Sequence, residues 1–327
     1  MLDRLRRAIE PGRTSFLPRR GRRPLGDWIF LGVTAAAALA LVALTVALVV
    51  ILVQGSWLTL GQYGPAFLWR SVWRPGLNVN LYGALPFIAG TLITSLLALL
   101  LAVPVSLGVA IFISEHAPSG LRGGLSAVVD LLAAVPSVVF GFWGLWVLVP
   151  FMHTTLEPLL GSLTPGNPLT SGSTPGTGIL TASIVLAVMI LPTITAVSRE
   201  VMQSVPQSQR EAALSLGATR WETIRIGVVK YSRSGIVGAI ILGLGRAMGE
   251  TMAVTMTIGN QDAIPTSLFS QGQTMASLIA NEFLDPTGPL DKSALLEIAL
   301  ILLAITFAVN VVARGLVWGL THRGNVA

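Results

Sequence analysis

Long apolar stretches alternate with polar segments along the chain. Six can be bounded from the pattern: Trp28–Val53, about Ala84–Ile113, Leu125–Pro150, Ile179–Ser198, Ile236–Gly259 and Ser293–Leu320. Each reaches the roughly 20 residues that an α-helix needs to cross the hydrocarbon of a bilayer. The fold class expected is therefore all-α, an integral membrane protein with six transmembrane helices. The first stretch has 26 residues, more than the roughly 7–15 of a cleaved signal's apolar core and enough to span with tilt. Several spans are interrupted, by Pro104 in the second, Pro136 in the third, and Gly238, Gly243, Gly245 and Gly249 in the fifth. Gly245 and Gly249 form a small-xxx-small pair of the kind that lets helices approach closely.

Three segments between the spans fall on one side. Residues 54–83 hold Trp57, Trp69 and Trp73, whose amphipathic rings suit the membrane–water boundary. Residues 151–178 are rich in Gly, Pro, Ser and Thr, lack Lys and Arg, and read as a loop. Residues 260–292 carry Asp262, Glu282, Asp285 and Asp291. None is long enough to be a domain, but together they offer a docking face for an external protein. The expected division is a basic tail over 1–27, a first helix with its external segment over 28–83, and a transmembrane domain over 84–321 that contains a polar loop at 199–235.

Composition narrows the chemistry. Only 11% of the 327 residues are charged and the mean hydropathy is +0.74, against roughly 25% charged in a soluble domain. With no cysteine, disulfides, thiolate metal sites and cysteine nucleophiles are excluded. His116, His153 and His322 are far apart and read as solvated or interfacial, so no metal site is expected. The two lysines, Lys230 and Lys292, follow no glycine-rich loop, so the lysine motif that cradles nucleotide phosphates is absent. ATP, if used, binds another chain. No nucleophile motif points to an enzyme, and no catalytic residue is assigned.

Basic residues set the orientation. With the N-terminus inside, 17 of the 21 lie on the cytoplasmic side, three outside and one, Arg246, within a span. Such a split predicts both termini in the cytoplasm of a multi-pass inner-membrane protein. The eight arginines between Arg4 and Arg23 then anchor the tail inside, in preference to forming a twin-arginine export signal.

One stretch combines charge with a span. Ser208-Gln209-Arg210-Glu211 has the capping-box pattern and predicts a short helix to Leu216, ended by Gly217 in a left-handed conformation. Thr219-Arg220-Trp221-Glu222 repeats the pattern and opens a second helix with Trp221, Ile224 and Val228 on one face. The six basic residues here also suit anionic lipid. A DNA-reading helix-turn-helix is disfavoured, because tethering at both ends leaves little room to enter a groove. Beyond lies Arg246, ten residues past Ile236, or about 15 Å of helix and so near mid-bilayer. A charge there costs roughly 2.5–3.5 kcal/mol on insertion scales. Glu250, four residues on, falls on the same helical face. The pair reads either as a structural ion pair or as an anion site, in which the guanidinium fork takes oxyanion oxygens and the carboxylate holds it between substrates. Asp130, about five residues inside the third span, either pairs with Arg246 or caps a helix.

Glu211-Ala212-Ala213, three residues, then Gly217 resembles the EAA loop of ABC importer permeases. That resemblance implies that Glu211, Ala212, Ala213 and Gly217 belong to a coupling helix that docks on a cytoplasmic ATPase. Where the family continues with Ile-x-Leu-Pro, this chain has Gly227-Val228-Val229-Lys230. The run Gly243-Leu-Gly-Arg246-Ala-Met-Gly-Glu250-Thr-Met-Ala-Val254 is similar to permease subunits of phosphate-specific ABC importers. So are Ala110-Ile-Phe-Ile-Ser-Glu115-His-Ala-Pro118, Asp130-Leu-Leu-Ala-Ala-Val-Pro136-Ser137 (usually opened by Glu) and Asn281-Glu-Phe283. The resemblance covers about 84–320. It implies the type I ABC importer permease fold, with Arg246, Glu250 and Asp130 on a phosphate pathway. It implies no cofactor on this chain, since ATP and Mg sit on a partner. The partners implied are a PstA-like second permease subunit, a PstB-like ATPase dimer and a PstS-like external phosphate-binding protein. Rival readings are a permease for sulfate or molybdate and a stand-alone secondary phosphate carrier.

Overall fold

The computed structural model describes residues 25–76 and 81–322. The basic tail up to residue 24, and Arg323, lie outside the described residues. Eleven helices carry the fold among those described. They are α1 (Leu25–Gly55), α2 (Trp57–Tyr63), α3 (Leu85–Ile111, continued by a π turn Phe112–His116), α4 (Ser119–Ala133) and α5 (Ser137–Leu163). Then come α6 (Ile179–Gln203), α7 (Gln207–Ser215), α8 (Arg220–Met248), α9 (Met252–Thr257), α10 (Met275–Glu282) and α11 (Pro289–His322). Six of them are long and apolar enough to cross a membrane: α1, α3, α5, α6, α8 and α11. Apart from isolated bridges joining Arg74 to Leu81 and Gly259 to Gly272, the described residues are helix, turn and loop. Helices keep every backbone polar group paired within the segment, as hydrocarbon requires.

The chain divides into two units, one ending at Val50 and one running from Ile51. The described part of the first is the body of α1, apolar all round and almost wholly exposed.

The second unit is organised on α6. Two-thirds (67%) of its apolar window is buried, against 22–33% for α3, α5, α8 and α11. Ile179, Val185, Leu186, Met189, Ile190 and Ile194 of α6 pack with Ala98 and Ala102 of α3, Phe140 and Met152 of α5, and Ala239 and Ala247 of α8. Helix association in lipid rests on such close packing of small residues and on interhelical hydrogen bonds of about 0.6 kcal/mol each. Two of these join α3 and α6: Ser106 donates to the Leu191 carbonyl at 3.2 Å, and Thr195 donates to the Ser106 carbonyl at 3.3 Å.

A second cluster gathers Phe67, Trp73, Tyr82, Phe87, Met275 and Leu278 against Leu295 and Ile298 of α11. Trp73 meets Tyr82 and Phe87 edge-on at 4.9 and 5.2 Å between ring centroids, the favoured aromatic geometry. Its indole Nε1 donates to Glu282 at 2.9 Å. Trp73 is therefore a core residue, not a boundary ring, whereas Trp57 and Trp69 are exposed.

Two spans differ from the sequence expectation. The third was expected over Leu125–Pro150. Pro136 disfavours helix at Val135, so the chain breaks after Ala133 and restarts at Ser137. Asp130 consequently sits on α4, outside the third span. At its other end α5 runs past Pro150 to Leu163, so the first part of 151–178 is helix and His153 lies within the span. Its π turns, Gly144–Leu148 and Met152–Leu156, precede Pro150 and Pro158. The extra residue in each turn accommodates a proline that cannot supply the helical N–H. The fifth span, expected over Ile236–Gly259, instead begins at Arg220 and stops at Met248.

Candidate functional site

The break after Met248 shapes the membrane half of the site. Gly249 and Glu250 close α8 with N–H bonds to the Gly245 and Ala247 carbonyls. The chain restarts at Met252 as α9, with Ala253, Val254 and Thr257 buried and the Thr257 carbonyl accepting from Gly178 N–H at 3.0 Å. Non-helical backbone at membrane depth is tolerated only where protein buries it or it lines a watery cavity. Discontinuous helices of this kind build transporter sites.

The break also redirects the two charges. Arg246 and Glu250 no longer share one helical face. Glu250 Oε1 accepts from the Ala253 N–H at 3.2 Å, so this carboxylate closes the first turn of α9. Among the described residues no carboxylate lies within ion-pairing distance of Arg246. Arg246 is exposed on one stripe of α8 with Gly238 and Leu242, opposite the buried Ile236, Ala239, Gly243 and Ala247. Its position in the last turn of α8 is one where the helix dipole favours a cation. Gly243, one turn earlier, packs on Ile194 and Leu99 near the mid-length of α6 and α3, which puts Arg246 close to half-way along the bundle. Among the described residues the small-xxx-small pair meets no other helix, since nothing lies within 4 Å of a Cβ at Gly245; the close approach is at Gly243.

Asp130 does not reach Arg246. Its Oδ1 lies 3.5 Å from Nη2 of Arg199, a buried arginine of α6 that also has Glu200 at 3.8 Å.

The cytoplasmic half is built by local signals. α7 starts after Pro206, one residue earlier than expected, and the Ser208–Glu211 capping box does not form because Pro206 holds the N-cap position. At the other end Gly217 has φ +82°. Gly217 N–H bonds to the Leu214 carbonyl at 3.0 Å and Ala218 N–H to Ala213 at 3.2 Å, which is the Schellman pattern. The second capping box forms as the pattern implies: Thr219 Oγ1 accepts from the Glu222 N–H, and Glu222 accepts from the Thr219 N–H at 2.8 Å. A π turn over Thr223–Val229 then widens α8 and rotates its faces. Ile224 and Val228 are buried, but Trp221 is 61% exposed. Leu214 and Leu216 are exposed too, Leu216 at 88%. Glu211, Ala212 and Ala213 lie on a helix with no buried residue. An apolar cluster beside an exposed helix marks an interaction surface.

Sequence reading missed the residue that holds α7 in place. Arg210 grips Glu115 bidentately, Nη2 to Oε1 at 2.8 Å and Nε to Oε2 at 3.3 Å. It also donates to the Met202 and Val205 carbonyls at 3.1 and 2.6 Å. The partners are 95 residues apart, so no local spacing signals them.

Comparison with known proteins agrees with this architecture. Residues 102–321 match the family of binding-protein-dependent transport system inner membrane components. The chain is 44% identical over 297 residues to the phosphate transport system permease protein PstC of Mesorhizobium japonicum, covering 90% of each. It is 45% identical over 291 residues to PstC of Haemophilus influenzae, covering 88% of this chain and 91% of that one. In fold it resembles a chain of a bacterial ABC transporter involved in the import of the acidic polysaccharide alginate, with a TM-score of 0.55 at 18% identity over 88% of this chain and 96% of that one. Broken helix, exposed loop helix and matched length agree, and the chain belongs to the inner-membrane permease family of binding-protein-dependent ABC transporters.

Proposed function

We propose that this chain is the permease subunit of an ATP-driven importer that moves inorganic phosphate into the cytoplasm. The observation that carries the reading is Arg246: a guanidinium near mid-bundle, on the exposed face of α8 beside a helix break, with no carboxylate among the described residues within ion-pairing distance. Arginine stays charged in low dielectric, and its fork matches phosphate oxygens. Relatives at 44–45% identity that are named phosphate transport permeases support the choice of anion. Glu250 holds the α9 start next to this group, and Asp130 acts at a distance from it, through Arg199.

The chain assembles with a PstA-like second permease subunit across the pathway and a PstS-like phosphate-binding protein outside. A PstB-like ATPase dimer carrying ATP and Mg docks on α7, on the exposed Leu216 at its end and on the exposed Trp221 at the start of α8. Both termini face the cytoplasm in this reading, the side that holds the arginine-rich segments.

The test is phosphate uptake by the assembled complex in proteoliposomes. Arg246→Ala is expected to abolish uptake while partners still co-purify, and Arg246→Lys to retain a fraction, because a point charge replaces the fork. Normal uptake by Arg246→Ala refutes the assignment. Competition by sulfate or molybdate would redirect it to another oxyanion, and uptake without the ATPase to a secondary carrier.

A further inference from the structure

Glu115 and Arg210 are charged, mostly shielded from solvent and remote from Arg246. They belong to different elements. Glu115 lies in the π turn that terminates α3, and Arg210 in the second turn of α7. Between them stands the C-terminal end of α6, whose last carbonyls have no intrahelical partner. Arg210 adds donors there, to the Met202 carbonyl in the last turn of α6 and to the Val205 carbonyl just beyond it. One nitrogen takes Val205 O, another takes Met202 O together with Glu115 Oε1, and Nε takes Glu115 Oε2. A cation at this helix end is also favoured by the α6 dipole. Gln209 and Ala213 of α7 also approach α8. There Gly227, within the π turn, leaves room for the Gln209 carbonyl, which a Cβ would meet at 3.2 Å.

We propose that Arg210 is the positioning residue that couples α7 to the membrane bundle. Through it, a displacement of α7 becomes a displacement of the cytoplasmic ends of α3 and α6 together. Three features support this role. The bidentate geometry fixes orientation as well as distance. The pair is shielded, with side-chain exposures of 16% and 11%, so salt screens it little. And α7 buries no residue of its own, so the rest of its linkage is the close approach of Gln209 and Ala213 to Gly227 of α8. The inference rests on the reading of α7 as the ATPase-docking helix.

The experiment uses the complete reconstituted transporter and measures three quantities: ATPase subunit co-purified, ATP hydrolysed, and phosphate taken up per ATP. Arg210→Gln and Glu115→Gln are each expected to keep the ATPase bound. Each should lower phosphate taken up per ATP by about 5- to 150-fold, the span of ordinary coupling between sites. The double variant should be no worse than either single one, because both remove the same link. Arg210→Lys, which keeps the charge and loses the fork, should fall between.

Unchanged phosphate per ATP in the single variants overturns the proposal, and so does an additive double variant. Loss of the ATPase from Glu115→Gln complexes also overturns it, by making the pair a docking or folding element. Should Arg210→Gln fail to reach the membrane, Arg210→Lys and Glu115→Gln decide alone by the same ratio. An unmodified chain that captures no ATPase would refute the docking reading, an outcome distinct from all of these.

Discussion

Gly217 offers a quantitative test of the exposed loop. It holds φ +82° at the end of α7 and donates one of the two hydrogen bonds that close the turn. For a residue with a Cβ, the left-handed conformation costs roughly 1–2 kcal/mol. Because α7 has no buried residue, packing contributes little to hold the turn against that strain. The cost therefore falls on the population of the docking-competent conformation, and apparent affinity falls with that population. Gly217→Ala is expected to weaken binding of the ATPase subunit by about 5- to 30-fold, the factor equivalent to 1–2 kcal/mol. The assay is titration of the solubilised permease pair with purified ATPase. Asparagine separates strain from bulk. It is larger than alanine but tolerates the left-handed region, and among the described residues nothing lies within 4 Å of a Cβ at this position. Gly217→Asn should bind more tightly than Gly217→Ala. If Asn is as damaging as Ala, or worse, the effect is a clash with the partner and the strain argument fails. Unchanged binding by Gly217→Ala refutes it as well.

Other perturbations test other parts of the structure. Leu216→Ser and Trp221→Ser should weaken ATPase docking while the melting temperature of the detergent-solubilised chain stays the same, since both side chains face solvent; an equal loss of thermal stability would mark them as core. Gly243→Ala would place a Cβ 2.7 Å from Ile194, an overpacking that costs about 1–3 kcal/mol. Adding Ile194→Ala should recover part of the lost melting temperature, and no recovery would place the clash elsewhere. Burial, with Asp262 and Asp291 as lesser contributors, pushes the Glu282 carboxyl up to about 7, and the Trp73 hydrogen bond opposes the shift. A raised carboxyl is protonated more fully in the folded state than in the unfolded state. Its stabilisation is complete below the ordinary glutamate value of about 4.3 and is lost as pH rises through about 7. Thermal stability should therefore fall between pH 5 and 8 on this account, and Glu282→Gln should flatten the profile. An unaltered profile in that variant would exclude Glu282 as the titrating group.

The sequence carried the parts of the fold that depend on local rules. Apolar run length placed six spans, and Gly217 and Thr219 marked a helix end and a helix start that both form. It misplaced boundaries where proline or tertiary packing competes with hydropathy. Pro136 splits an apolar run that composition alone joins, and π turns carry α5 through Pro150 and Pro158. The site was half legible. Arg246 and Glu250 stand out as charges in an apolar run, but their expected pairing rests on continuous helical spacing. Gly249 to Thr251 break that spacing, and a break depends on what α9 packs against, not on the residues in it. Asp130 with Arg199 and Glu115 with Arg210 are long-range pairs, invisible to any windowed reading.

The geometry of α8 links the two halves of the site. The helix starts at the Thr219 cap on the exposed loop and ends one turn beyond Gly243, so one rod of 29 residues joins them. At 1.5 Å per residue its length is about 43 Å. Near its start the rod meets α7, where Gly227 leaves room for the Gln209 carbonyl, and its far end lies at the membrane half of the site. That end is the non-helical Gly249–Thr251 segment, where a few residues can absorb the change in backbone angle while α9 stays packed on α5 and α6. Arg246 is on the α8 side of this break and Glu250 within it. The two charges are therefore held by different elements, the guanidinium by α8 and the carboxylate by the first turn of α9.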